Sequence, residues 1–238
     1  PQVVKIAQNA AHYAVQKPDE VTDLVDFKQP EISDTDLKAP IYIDFGPTSL
    51  SATPWNNITS HQESSTTSWI KDVENNYTNI GVRVLDGFTA THAGVGSEPA
   101  SPVTVDGVEF PLTAWKDGLL VKGEKNQGDV GPGRIEISQL DVARKYNFTI
   151  LAIRFNGSKD ARISSYKLVG KTESAVKEVK TGIKDAASFA AANFEEYIAK
   201  FENVEPDSEG KVIVEVKGLD TGSAAEGHIN ALCISLAK

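Results

Sequence analysis

The chain contains no methionine and a single cysteine, Cys233. One thiol excludes an internal disulfide, and its place inside the last apolar alternation predicts a small buried side chain rather than a reactive one. No window approaches the roughly 18 consecutive apolar residues of a membrane span, and no charged-then-apolar leader precedes residue 41. A chain that starts at Pro1 without methionine is expected to be a mature or excised piece, with any export signal outside it. Basic residues are also in deficit: 24 Lys and Arg stand against 33 acids, for a net charge of −9. With no basic stripe, that balance repels phosphate backbones, so nucleic acid is not an expected partner.

Catalytic signatures are missing as well. No Gly-x-Ser-x-Gly elbow, Gly-Asp-Ser triplet or Asp-x-x-His pair is present from which a serine-hydrolase site could be assembled. Neither a His-x-x-x-His pair nor a thiol pair is available for zinc. The glycines at 94, 96, 128, 131 and 133 fail the nucleotide-loop spacings and read as turns. Glu195, Glu196, Glu202, Glu205 and Asp207 cluster in sequence, but in so acidic a chain they read as a solvated loop rather than as a glycosidase pair. The four histidines, His12, His61, His92 and His228, are scattered, and each is expected at the surface or in a local hydrogen bond. No catalytic residue is therefore assigned.

What is present is a succession of short alternating runs. Residues 1–17 have apolar positions at helical spacing and predict a helix that Pro18 ends. An acidic, proline-punctuated stretch follows and reads as a linker through Pro40. The boundaries are 1–28 for the helix and its exit, 29–40 for the linker and 41–238 for a β domain. That domain opens with IYIDF, in which Ile41, Ile43 and Phe45 share one face while Tyr42 and Asp44 share the other. Its expected partner is the last apolar segment, Ile229–Leu236, a pairing that would protect strand edges by joining the ends of the domain. Val82/Val84, Val103/Val105 and Leu119/Val121 mark further strands around Asp-Gly turns.

The clearest strands are Arg134–Leu140, Tyr146–Phe155 and Ile163–Val169. In the second, Tyr146, Phe148, Ile150 and Ala152 face one way and Asn147, Thr149, Leu151 and Ile153 the other, so its far end is apolar on both faces. Ser174–Lys180 and Lys211–Lys217 alternate again. The Ala-rich stretch between them reads as a loop running into a strand that ends near Phe201. Many short strands with no alternating helices predict an all-β fold, a jelly-roll-like β-sandwich with a short N-terminal helix and linker.

The loops are enriched in aromatic and planar polar groups: Trp55, Trp69 and Trp115, Asn56, Asn57 and Asn126, Arg154 and Arg162. A flat ring beside amide and guanidinium donors suits a sugar, whose C–H face packs on the ring while its hydroxyls hydrogen-bond at the edge. Trp115, nearest a strand, is the expected core member. The candidate carbohydrate-binding set is Trp55, Asn56, Asn57, Trp69, Arg154 and Arg162. Trp55→Ala is expected to abolish binding and leave the thermal midpoint nearly unchanged. Asp44, Asp86 and Asp106, near strand ends, are candidates for a structural calcium, set against turn-capping aspartates. Of four Asn-x-Ser/Thr sites, at Asn57, Asn76, Asn147 and Asn156, the third falls inside an expected strand, which argues for chance matches.

The order IYIDFG, WNNIT, VRVLDGF, VEFPLTAWKDG, KYNFTILAIRFNGSKDARISSYKLVG, FENVEPDSEGKVIVEV and GHINALCISL resembles a galactose-binding-like or carbohydrate-binding-like β-sandwich module of secreted Bacteroidetes proteins. The resemblance covers residues 41–238. QVVKIAQNAAHYAVQKPDEVTDL in turn resembles the closing helix of an SGNH-type hydrolase domain. These resemblances imply a secreted, periplasmic or cell-surface setting and a polysaccharide or glycan partner. They also imply an upstream hydrolase domain of the same protein, possessing the catalytic Ser and His. Arg154, Asp160, Arg162 and Tyr166 match the module's Arg…Asp-x-Arg…Tyr pattern, as ion pairs under a loop or as ligand contacts, with Ala161 where a polar residue is expected. The expected function is that of a non-catalytic accessory binding domain. The alternative is a structural spacer that docks on the hydrolase through the first helix and has no ligand.

Overall fold

The structure, a computed structural model, describes residues 37–122, 132–155, 162–219 and 226–238. The expected helix, most of the linker, Asn126, Asn156 and Asp160 lie outside the described residues. The chain runs β1 (Ile41–Phe45), β2 (Trp55–Ile58), β3 (Thr66–Thr67), β4 (Gly81–Asp86), β5 (Ala90–His92), β6 (Val103–Val105), β7 (Val108–Phe110), α1 (Leu112–Trp115) and β8 (Gly118–Lys122). It continues through β9 (Gly133–Ser138), β10 (Tyr146–Leu151), β11 (Arg154–Phe155), β12 (Ile163–Val169), β13 (Lys177–Lys180), β14 (Gly182–Ile183) and α2 (Ala186–Ala190). A 3-10 turn at Phe194–Tyr197 leads into β15 (Ile198–Val204), β16 (Val212–Gly218), β17 (Glu226–Ile229) and β18 (Ala231–Leu236).

Two sheets face each other, a five-stranded one in the order β15-β10-β18-β1-β2 and a six-stranded one in the order β13-β12-β16-β9-β4-β3. The fold is thus the expected all-β sandwich. Of β1, β4, β9, β10, β12, β15, β16 and β18, each lies in the opposite sheet from the one before it except β9, which pairs with β4 across a long connection, and this is the jelly-roll habit. The core between the sheets is the sum of the inward alternations: Ile41, Ile43 and Phe45 of β1, Phe148 and Ile150 of β10, Val212, Val214 and Val216 of β16, Ile135 and Ile137 of β9. Burial of these faces is the dominant stabilising term.

The opening strand pairs with the last one, antiparallel, with Ile41 opposite Ile234 and Ile43 opposite Leu232. The pairing does not remove edges, however. β1 also takes β2 in parallel on its other side, so β2 and β15 are left as the edges of that sheet. The strong middle strands also separate: β9 and β12 lie in one sheet and β10 in the other. The Ala-rich stretch contains a short helix, α2, capped by Asp185 accepting from Ser188 N, before β15.

A second apolar cluster covers part of the outer face of the five-stranded sheet. Leu151, Ile153, Ile198, Ala231 and Cys233 meet Val103, Val105, Phe110, Trp115 and Phe189 there, and Tyr42 and Trp55 pack at its margin. This explains why the far end of β10 is apolar on both faces. Trp115 is fully buried, stacked on Phe189 at 4.9 Å, with its Nε1–H donated to Ser101 O.

Candidate functional site

The second cluster covers only one end of the outer sheet face, and the other end is a groove. Alternation on β1, β10, β15 and β18 sends Tyr42, Asn147, Thr149, Lys200, Glu202 and Ser235 outward, and these line a cavity of about 240 Å³. The β6–β7 hairpin forms one wall through Asp106 and Val108, held to β15 by the Lys200–Asp106 ion pair. Asn147 Oδ1 accepts from Asn203 N at 3.0 Å, at a bulge where the β10–β15 register shifts. The groove thus combines one half-buried phenol with hydroxyl, amide, ammonium and carboxylate groups. Burial is the main cause that raises the Tyr42 phenol above its usual pKa.

Trp55 stands directly opposite Tyr42 in the parallel ladder, with the rings 5.1 Å apart and tilted by 37°. Its other side meets Phe110 at 5.6 Å. The indole is therefore wedged behind Tyr42, and the ring that faces the groove is the tyrosine. Asn56 and Asn57 are engaged by backbone. Asn56 Nδ2 donates to Tyr42 O and Lys71 O while its Oδ1 accepts from Lys71 N; Asn57 Oδ1 accepts from Ser51 N and its Nδ2 donates to Ser51 O. Their amides fix loops rather than present donors. Trp69 is exposed at 39% and sits at φ 54° on the connection between β3 and β4.

The two arginines fall elsewhere, beyond the opposite end of β10. Arg154 opens β11 and Arg162 precedes β12. Arg154 Nη1 lies 3.1 Å from His92 Nδ1 and donates to Ala93 O at 2.9 Å. Arg162 Nη2 is 3.4 Å from Glu226 Oε2, and His228 Nε2 is 3.5 Å from the same oxygen. The His92 and His228 rings meet edge to face at 4.9 Å. The histidines are therefore not scattered in space: β5 and β17 both flank β8 and bring two of them together. Burial, then the neighbouring His228 and Arg154, pushes His92 well below its usual pKa, and burial lowers His228 too. The His228 ring, with the guanidiniums of Arg162 and Arg154, holds the Glu226 carboxyl down to about 2 against the cost of desolvation. Tyr166 lies in the same layer, its hydroxyl donating to His228 O.

The three aspartates considered for calcium have separate partners. Asp86 is bound by Arg134 and Asp106 by Lys200, while Asp44 lies buried under the loop after β1. Among the described residues, no three acidic, histidine or cysteine side chains gather closely enough to hold a metal. The neighbour of Asp44 is Asp117. Asp44 Oδ2 accepts from Ser51 N, and Asp117 Oδ2 accepts from Thr48 N and Ser49 N. Burial is the first cause that pushes the Asp44 carboxyl up to about 7, with Asp117 adding to it. The clustered Glu195, Glu196 and Glu205 are held by surface lysines, Lys200, Lys180 and Lys171.

No protein-family model matches the chain, and no curated protein matches it. Among solved structures it is similar to the ANX2 ectodomain from Arabidopsis thaliana, with 9% identity, 74% of this chain and 48% of that chain covered, and a TM-score of 0.44. It is similar at 10% identity to a chain in the complex of the plant peptide RALF23 with FER and LLG2, covering 82% of this chain and 48% of that one, TM-score 0.47. The ANXUR1 extracellular domain from Arabidopsis thaliana gives 10% identity, coverages of 84% and 48%, and a TM-score of 0.43. The chain spans about half the length of these structures. Among the described residues, no helix is long and apolar enough to cross a membrane.

Tyr42, His92, Glu226 and His228 are the site residues that the sequence reading passes over. The signal for Tyr42 was present, since it is the aromatic on the outward side of the opening strand. For the histidines there was none, because their proximity depends on which strands flank β8.

Proposed function

We propose that the chain is a non-catalytic carbohydrate-binding accessory domain, with a glycan lying in the outer-face groove against Tyr42. The observation that carries this reading is the groove itself: an aromatic ring flanked by Asn147, Thr149, Lys200 and Ser235 on a rigid sheet. Such a surface offers a sugar its two needs, a flat apolar patch and edge-on hydrogen-bonding groups. The sequence resemblance supports the wider setting, a secreted glycan-processing protein whose upstream domain is an SGNH-type esterase and whose catalytic groups lie outside this chain. With one ring as platform, the dissociation constant is expected at roughly millimolar to tens of micromolar.

The test is a glycan-array and polysaccharide screen on the chain, followed by titration of any hit against Tyr42→Ala. Saturable binding that is lost in the variant, with an unchanged fold by circular dichroism, upholds the reading. Silence across a broad panel from a well-folded sample overturns it in favour of a spacer domain that docks on the hydrolase.

A further inference from the structure

The groove leaves a second feature of the molecule unused: the buried layer of Arg154, Arg162, His92, His228 and Glu226. We infer that Arg154 and Arg162 together form a seat for one carboxylate group, supplied by an acidic sugar. The sugar half of this inference rests on the glycan reading; the carboxylate half rests on the cluster alone.

Charge comes first. Burial lowers the pKa of both imidazoles, so the charges that remain at the cluster are the guanidiniums of Arg154 and Arg162 and the carboxylates of Glu226 and Glu98. Glu98 acts on Arg154 through space while its two oxygens accept from Val95 N and Gly96 N, which fix it in place. Lys122, opposite Glu226 in the β8–β17 ladder, is a third cation, so three positive charges stand against two negative ones. A guanidinium withdrawn from water without a matching anion is strongly disfavoured, which calls for one more negative charge.

Hydrogen bonding gives the same answer. Among the described residues, Arg154 Nε, Arg162 Nε and Nη1 and His228 Nδ1 are buried with no hydrogen-bond partner, and His228 Nε2 has only Glu226 Oε2, at 3.5 Å. Arg162 as a residue is only 7% exposed and His228 is fully buried, so bulk water does not satisfy these groups. Native proteins rarely leave so many polar nitrogens unpaired in one place. A planar carboxylate matches the guanidinium fork, and its single charge matches the single excess. Phosphate, with about two charges, would overshoot it. The seat reaches the surface through Arg154, which is half-buried, and Glu226, whose side chain is 25% exposed.

The experiment is calorimetric titration of the whole chain with sodium galacturonate, galactose, acetate and inorganic phosphate, on wild type, Arg154→Gln and Glu226→Gln. Galacturonate is expected to bind saturably and galactose at least tenfold more weakly. Arg154→Gln should lose at least tenfold, and Glu226→Gln should tighten binding by removing the competing carboxylate. Acetate that displaces galacturonate supports the carboxylate as the recognised group. Weak acetate beside strong galacturonate supports the acidic sugar. Equal response to galacturonate and galactose, a preference for phosphate, or galacturonate binding unchanged in a folded Arg154→Gln overturns the inference and leaves an internal ion network. Tyr42→Ala separates the two sites: loss of neutral-glycan binding with galacturonate binding retained removes nothing from the seat.

Discussion

His92 and His228 meet edge to face at 4.9 Å, although one ends β5 and the other lies in β17. Neither element touches the other in the ladder; both pair with β8, which sets His92 opposite Gly118 and His228 opposite Leu120. The space is made by Gly118, where an added Cβ would lie 3.1 Å from His92 Nε2 and 2.5 Å from Ile229 O. The small residue is thus what lets the His92 ring and the Ile229 backbone both lie close against β8.

The histidine pair gives the protein an acid-sensitive stability. Burial lowers both pKa values, and Arg154 and Arg162 oppose protonation further, although Glu226 favours it at His228. The unfolded chain takes up protons near the ordinary value of 6.5 while the folded one resists, so the contribution is fully present above that pH and is lost as the pH falls below it. The urea midpoint of the wild type relative to that of His92→Gln should decline from pH 8 to pH 5, a difference in which other titrating groups cancel.

Asp44 has the opposite slope. Its carboxyl keeps a proton to about 7 in the fold against 3.8 in the free residue, so stability falls as the pH rises through that interval. At about 1.4 kcal/mol per pH unit, holding the charge above neutrality costs roughly 4 kcal/mol as an upper figure. The difference in unfolding free energy between Asp44→Asn and wild type should grow from pH 4 to pH 8. A constant difference would mean that Asp44 is ionised throughout.

The three tryptophans should separate by stability. Trp115→Ala removes a fully buried indole with its stack and hydrogen bond, and about 3–5 kcal/mol is expected from its loss. Trp55→Ala should cost less, about 1–2 kcal/mol, because the ring is half-buried between Tyr42 and Phe110. That replaces the sequence-based expectation of an unchanged midpoint. Trp69→Gly should be neutral or stabilising, since φ 54° favours glycine. Thermal denaturation of the three variants ranks them.

Asn230 should be among the least replaceable polar residues. Its Nδ2 lies 2.8, 2.7 and 3.0 Å from the carbonyls of Trp115, Asp117 and Ile153, and its Oδ1 accepts from Ile153 N. Asn230→Ala would leave buried backbone groups unpaired, each at about 1–3 kcal/mol, so a loss of about 3 kcal/mol or more is expected in chemical denaturation. A loss below 1 kcal/mol would show that water enters and takes over its bonds.

The alternation of Ile41, Ile43 and Phe45, of Tyr146 to Ile153 and of Val212 to Val216 determined by itself that the chain is a β-sandwich, and even that β10 has two apolar faces. Side-chain period is a local property of the backbone, so it can be read without knowing partners. The sequence likewise marked Trp115 as core and Arg154 and Arg162 as a pair worth attention. Pairing and register are not local, and only the tertiary structure decided them. It was the parallel β1–β2 ladder that set Trp55 behind Tyr42 and engaged Asn56 and Asn57 with backbone, and the flanking of β8 that brought His92 and His228 to the two arginines. Contacts between residues far apart in the chain depend on which strands share an edge, and a pattern with period two is the same whichever neighbour it finds.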